Sequence, residues 1–120
     1  MLIAFSCTDR GFTKFQQSIY FYNQSGHDLD IFSFKNQTAD TIHIYNYENY
    51  WYGTFSLESV APFYLSDSVF IEFDDNKLVK YLPSDCLAKN ILCITTYYCH
   101  PGDTTDCYFL IDTDEYLKAK

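Results

Sequence analysis

The residues with chemistry to offer are five cysteines, three histidines and a scatter of carboxylates. A nucleophilic cysteine needs a base within hydrogen-bond reach. His100 follows Cys99 directly, and neighbours in a strand point to opposite faces. Nothing in the sequence brings His43 to a thiol, and His27 lies in a turn. The cysteines form no C-x2-C pair and their gaps are irregular, which sets a zinc site aside. There is no G-x-S-x-G elbow, no H-E-x-x-H helix and no glycine-rich phosphate loop; the chain has four glycines in all. Calcium takes about six to eight oxygens. Asp74-Asp75-Asn76 and Asp28-x-Asp30 read more simply as a solvated hairpin turn and an exposed strand face. No catalytic residue, metal ligand or cofactor is assigned, and the expectation is a protein that is not an enzyme.

The cysteines carry a different message. Met1-Leu2-Ile3-Ala4-Phe5-Ser6-Cys7 is an apolar run ending in small residues before a cysteine, followed at once by polar Thr8-Asp9-Arg10. This is the pattern of a bacterial lipoprotein signal, with Cys7 as the lipid attachment point. A full signal has a basic segment and an apolar core of about 7–15 residues. The segment here is shorter and has no Lys or Arg before Cys7, so the reading implies signal residues upstream of Met1. The plain alternative is an ordinary N-terminus. With Cys7 removed, Cys86, Cys93, Cys99 and Cys107 remain, and four cysteines allow three connectivities. A turn at 100–103 places Cys99 opposite Cys107 and leaves Cys86 with Cys93 across a loop. Disulfides belong to oxidising compartments; five free thiols in the cytoplasm is the alternative.

Binding chemistry is suggested by aromatics. Twelve Tyr, eleven Phe and one Trp make 20% of the chain. The densest stretch holds Tyr45, Tyr47, Tyr50, Trp51 and Tyr52. Tyr47, Tyr50, Trp51 and Tyr52 are the candidate ligand-binding residues, since aromatics on an outward face stack on sugar rings or on a partner's apolar anchors. The competing reading makes them core or edge cover.

The elements that must position these residues are short strands. Period-two alternation of apolar and polar residues runs through 18–23, 28–34, 40–45, 46–59, 68–73, 77–82, 91–99 and 106–111. Turn chemistry separates them: Gly26 in Asn23-Gln24-Ser25-Gly26-His27, Asp74-Asp75-Asn76, and Pro101-Gly102-Asp103. The first three strands read as an antiparallel meander. Gly53 marks a bulge or edge. A short helix starts at Thr113 as N-cap, with acidic residues in its first turn. The fold class is all-β, an antiparallel β-sandwich of about seven to eight strands with a short C-terminal helix. Residues 1–7 are the signal remnant, 8–17 a polar tether and 18–120 a single sandwich domain.

The order of these elements resembles a family of small lipoproteins common in Bacteroidetes. The residues that carry the resemblance are Cys7, Asn23-Gln24-Ser25-Gly26-His27-Asp28, Leu65-Ser66-Asp67-Ser68-Val69, Phe73-Asp74-Asp75-Asn76-Lys77, Asn90-Ile91-Leu92 and Asp114-Glu115-Tyr116. It spans residues 7–118. It implies a lipid-anchored protein of the cell envelope, at the outer membrane, and transfers no functional residue. The four late cysteines depart from the family pattern.

Charge narrows the partners. Eight Lys and Arg against sixteen Asp and Glu give a net charge of −8, which disfavours nucleic acid and anionic lipid as ligands. The expectation is a non-enzymatic binding module for an envelope protein or glycan. The second is an acidic immunity protein that neutralises a basic toxin through charge complementarity.

Overall fold

The computed structural model describes residues 16–36, 38–56, 63, 66–84 and 86–120. Its strands are β1 (Gln17–Asn23), β2 (Leu29–Lys35), β3 (Thr38–Ile44), β4 (Asn49–Phe55), β5 (Ser68–Phe73), β6 (Leu78–Tyr81), β7 (Tyr98–His100) and β8 (Thr105–Ile111). A 3-10 turn covers Ile94–Thr96, and helix α1 (Thr113–Lys118) ends the chain. The strands form two four-stranded sheets, ordered β4-β1-β8-β7 and β3-β2-β5-β6. The expected all-β sandwich with a short C-terminal helix is what the chain forms.

Alternation builds the core. Ile19 and Phe21 of β1 and Cys107, Phe109 and Ile111 of β8 face inward from one sheet. Leu29 and Ile31 of β2 and Val69, Ile71 and Phe73 of β5 face inward from the other. Each fully buried side chain of this size contributes about 1.5–3 kcal/mol. Phe63, from the connection between the sheets, stacks on Phe21 with ring centroids 5.6 Å apart.

Three expectations are corrected. The first three strands are not one meander. β2 pairs with β3, but β1 lies in the opposite sheet, between β4 and β8. Its pairing with β8 is parallel, so the sandwich is not wholly antiparallel. The reason lies in the turn after β1. Asn23 Nδ2 donates to the carbonyls of His27 (2.7 Å) and Tyr45 (3.1 Å), and its Oδ1 accepts from Ser25 N. These bonds tie the turn to the β3–β4 connection and send the chain across the core rather than back along β1.

Residues 91–99 do not form one strand. Asn90 Oδ1 accepts from Leu92 N, and Thr96 Oγ1 accepts from Asn90 N. Local side-chain bonds of this kind compete with a ladder, so only Tyr98–His100 pairs, with β8. At the helix, Asp112 rather than Thr113 is the N-cap: its carboxylate accepts from the amides of Asp114 and Glu115. Thr113 is the first helical residue.

β1 begins at Gln17, inside the stretch expected as a tether. Residues 1–15, including Cys7, lie outside the described residues. No described helix is long and apolar enough to cross a membrane.

Candidate functional site

The described cysteines are joined as Cys86–Cys93 and Cys99–Cys107, the pairing expected from the turn at 100–103. In the second, Cys99 and Cys107 sit directly opposite in the β7–β8 register. None of these four offers a thiol to a histidine or a metal.

A candidate binding surface is the outer face of the β4-β1-β8-β7 sheet. Register fixes its composition. Tyr20 of β1 pairs with Trp51 of β4 on one side and Tyr108 of β8 on the other, and Tyr108 pairs with Tyr98 of β7. Residues paired across a sheet share a face, so Trp51, Tyr20, Tyr108 and Tyr98 form one aromatic row crossing all four strands. At strand spacings of about 4.8 Å the row is about 14 Å long.

The two middle rings stack on each other, centroids 4.9 Å apart and planes 15° from parallel. The end rings are open to solvent, Trp51 at 58% and Tyr98 at 68% exposure. Tyr98 packs edge-on against His100, 4.6 Å between centroids. Beside the row, Tyr22, Gln24, Tyr98, His100, Tyr108 and Leu110 line a shallow cleft of about 400 Å³. The Tyr108 phenol is pushed above its ordinary value by partial burial, then by Asp106 and Tyr20. It is therefore a hydrogen-bond donor throughout the neutral range.

The bulge in β4 decides which candidate aromatics join this row. The β1–β4 register shifts between Ile19 and Tyr20: Ile19 pairs with Gly53, Tyr20 with Trp51, and Tyr52 is the extra residue. Tyr50 and Tyr52 consequently pack on the core side. Tyr52 meets Phe63 at 5.2 Å and Phe21 at 5.4 Å. Tyr47 is exposed at the tip of the β3–β4 connection, with a left-handed backbone (φ 68°). Of Tyr47, Tyr50, Trp51 and Tyr52, only Trp51 belongs to the outer row. Sequence reasoning missed Tyr20, Tyr98 and Tyr108; alternation placed Tyr20 and Tyr22 on one face, but no local signal showed which strands flank β1.

A second cluster sits where the β1–β2 turn, the β5–β6 turn and α1 meet. His27 Nδ1 lies 2.8 Å from Asp74 Oδ1, and the His27 ring stacks on Tyr116 at 4.2 Å. The Tyr116 hydroxyl donates to Asp75, and Lys77 lies 4.9 Å above the Tyr116 ring. The bond from Tyr116 is the main reason the Asp75 carboxyl is held below its ordinary value, and the same bond raises the Tyr116 phenol. Ligand atoms of His27, Asp74 and Asp75 lie within 4.8 Å of one another, and Asp74 also accepts from the Asp28 amide at 3.2 Å. These groups already bond to each other and to α1, and the arrangement reads as a clasp for the helix. Asp30 bonds His43 across the sheet at 2.5 Å.

Fold and sites together define a disulfide-pinned β-sandwich with an aromatic outer face. Comparison with known proteins found no matching family model, no similar curated protein and no similar solved structure.

Proposed function

We propose that this protein is a non-enzymatic binding module of the cell envelope, lipid-anchored through Cys7, and that its aromatic outer face holds a glycan. The observation that carries the reading is the Trp51–Tyr20–Tyr108–Tyr98 row. Aromatic side chains with a polar tip give large contact area and hydrogen bonding at low conformational cost. An aromatic face of this kind also suits a partner protein, and the polar groups around the rings favour the glycan. Asp106, Gln24, His100 and the tyrosine hydroxyls stand beside the rings and match sugar hydroxyls. A rigid sheet sets their spacing in advance. The two disulfides support an oxidising compartment, and the apolar run before Cys7 supports the anchor.

The test is calorimetric titration of the full chain with envelope polysaccharide fragments, beside Trp51→Ala and Tyr98→Ala. Truncating a central binding aromatic costs about 2 kcal/mol or more, so at least a tenfold loss of affinity is expected in each variant. Equal affinity in wild type and both variants would remove the aromatic face as the site. Intact mass of protein purified from native membranes tests the anchor: acylated Cys7 at the N-terminus supports it, and an unmodified Cys7 overturns it.

A further inference from the structure

An open sheet ends in strands whose outer backbone groups lack a ladder partner, and proteins protect such edges with short strands, bulges, lysines, proline or cover. Three of the four edges here carry such a device. β4 has the bulge at Tyr52. β6 is four residues long, includes Lys80, and is covered by the end of the chain: Leu78 N donates to the Lys120 carbonyl at 3.1 Å and Lys120 N to the Leu78 carbonyl at 2.9 Å. β7 is three residues long and stops at Pro101. β3 is different. It runs for seven residues, keeps unbroken register with β2 from Thr38 to Ile44, and contains no lysine or proline. Thr38, Ala39, Asp40, Thr41 and His43 are exposed.

The bonds of β2 decide which groups of β3 are free. Asp74 N donates to the Asp28 carbonyl and Asp67 N to the Phe34 carbonyl, so the even-numbered residues of β2 turn their backbone groups toward β5. Successive residues turn theirs to opposite sides, so Leu29, Ile31, Ser33 and Lys35 bond toward β3. Their partners are Ile44, Ile42, Asp40 and Thr38. Ala39, Thr41 and His43 therefore point their N–H and C=O groups away from the sheet, and none of these groups bonds a described residue.

The free groups are spaced symmetrically about Thr41, the middle residue of the strand. A two-fold axis at Thr41, perpendicular to the sheet, lays a second β3 antiparallel to the first. Thr41 then pairs with Thr41 of the second copy, Ala39 pairs with its His43 and His43 with its Ala39, and every free N–H meets a C=O. Side chains agree with the backbone. Threonine pairs are favourable across antiparallel strands. Ala39 is small and leaves room for the His43 ring, which Asp30 already holds at 2.5 Å. Asp40 opposes Ile42, so like charges do not face each other. Sliding the register shortens the ladder, and in one direction sets Asp40 against Asp40. The charge of −8 on each copy opposes association, but screening limits that repulsion to about 8 Å at physiological salt.

We propose that β3 pairs with β3 of a second copy, giving a two-fold dimer with one continuous sheet ordered β6-β5-β2-β3-β3-β2-β5-β6. The interface is isologous. Because the axis is perpendicular to that sheet, the aromatic faces of both copies look to the same side. The dimer does not depend on what those faces bind.

The experiment is sedimentation equilibrium of the full chain, disulfides intact and free thiol alkylated, from micromolar to millimolar concentration, beside hydrogen exchange at assigned amides. Wild type should show a reversible monomer–dimer equilibrium, and the amides of Ala39, Thr41 and His43 should exchange more slowly as concentration rises. Thr41→Pro removes the central N–H from each copy; it breaks no bond to β2, and proline is tolerated on the solvent side of an edge strand. Losing those two hydrogen bonds should weaken the dimer at least about tenfold. Thr41→Lys keeps the N–H, sets two ammonium groups face to face, and should also weaken the dimer. Far-ultraviolet dichroism of both variants should match wild type, since position 41 is exposed. A monomer at every concentration would overturn the proposal and leave the edge to an extended strand of a different protein. A dimer that keeps its affinity in both variants, or that leaves the three amides unprotected, would overturn it as well.

Discussion

Trp51 and Tyr52 are neighbours in sequence and lie on opposite faces of β4: Trp51 pairs with Tyr20 on the outside, and Tyr52 packs against Phe21 and Phe63 on the inside. Substitution should separate them. Trp51→Ala removes an exposed ring and should change stability by about 0.5 kcal/mol or less, as surface changes do. Tyr52→Ala opens a hole in partly buried aromatic packing and should cost about 2–3 kcal/mol. Urea unfolding of the two variants measures this. Equal losses would mean that the bulge does not divide the two side chains.

Asn23 is fully buried and its amide makes bonds to the turn and to the β3–β4 connection. Asn23→Ala takes the described side-chain donor from the Tyr45 carbonyl, leaves the His27 carbonyl with Ser25 Oγ alone, and removes the acceptor of Ser25 N. The expected loss is about 2–4 kcal/mol, in the range for breaking a buried polar network. Asn46→Ala, which removes one exposed bond to Gly26 N, should cost well under half of that. A small effect at Asn23 would show that the crossing between sheets is held elsewhere.

Alkaline stability depends on two buried phenols. Burial first, and Glu115 second, raise Tyr81; burial first raises Tyr97. Both folded values lie above the unfolded value of 10.0. Their contribution is therefore fully present below about pH 10 and is lost as pH rises toward the folded values. Each phenol should subtract about 1.4 kcal/mol per pH unit in that window. Tyrosinate absorbance followed with far-ultraviolet dichroism checks it: the last tyrosines should ionise only as structure is lost, and Tyr81→Phe should make the decline shallower. Complete ionisation with native dichroism would contradict the assignment.

The disulfides close loops with sequence separations of 7 and 8. Restricting the unfolded chain over loops this short is worth about 2.5 kcal/mol each in the chain-entropy account. Replacing Cys99 and Cys107 together with Ala, or Cys86 and Cys93 together, should lower unfolding free energy by about that amount. Four free thiols in protein isolated from its native source would contradict both bonds.

Much of the fold was legible because its signals are local. Val69, Ile71 and Phe73 alternate with polar neighbours, and Asp74-Asp75-Asn76 turns the chain, so the β5–β6 hairpin could be read directly. Cys99 and Cys107 flank a turn, so their pairing could be read from spacing. The 91–99 segment misled because Ile91, Leu92 and Ile94 look like strand residues, while Asn90 and Thr96 bond the backbone locally. Candidate binding residues were drawn from one dense stretch, whereas the row that forms takes one residue from each of four strands.

By itself the sequence determined most of the strands, their inward faces and the hairpin turns, and favoured the cysteine pairing found, because period-two alternation and turn chemistry act between residues close in the chain. Only the tertiary structure decided that β1 runs parallel to β8 and that Trp51, Tyr20, Tyr108 and Tyr98 share a face. Only it brought Lys89 and Lys118 to the buried Glu115. Those neighbours are set by which sheet edges meet once the whole apolar core is buried, and no spacing along the chain encodes that choice.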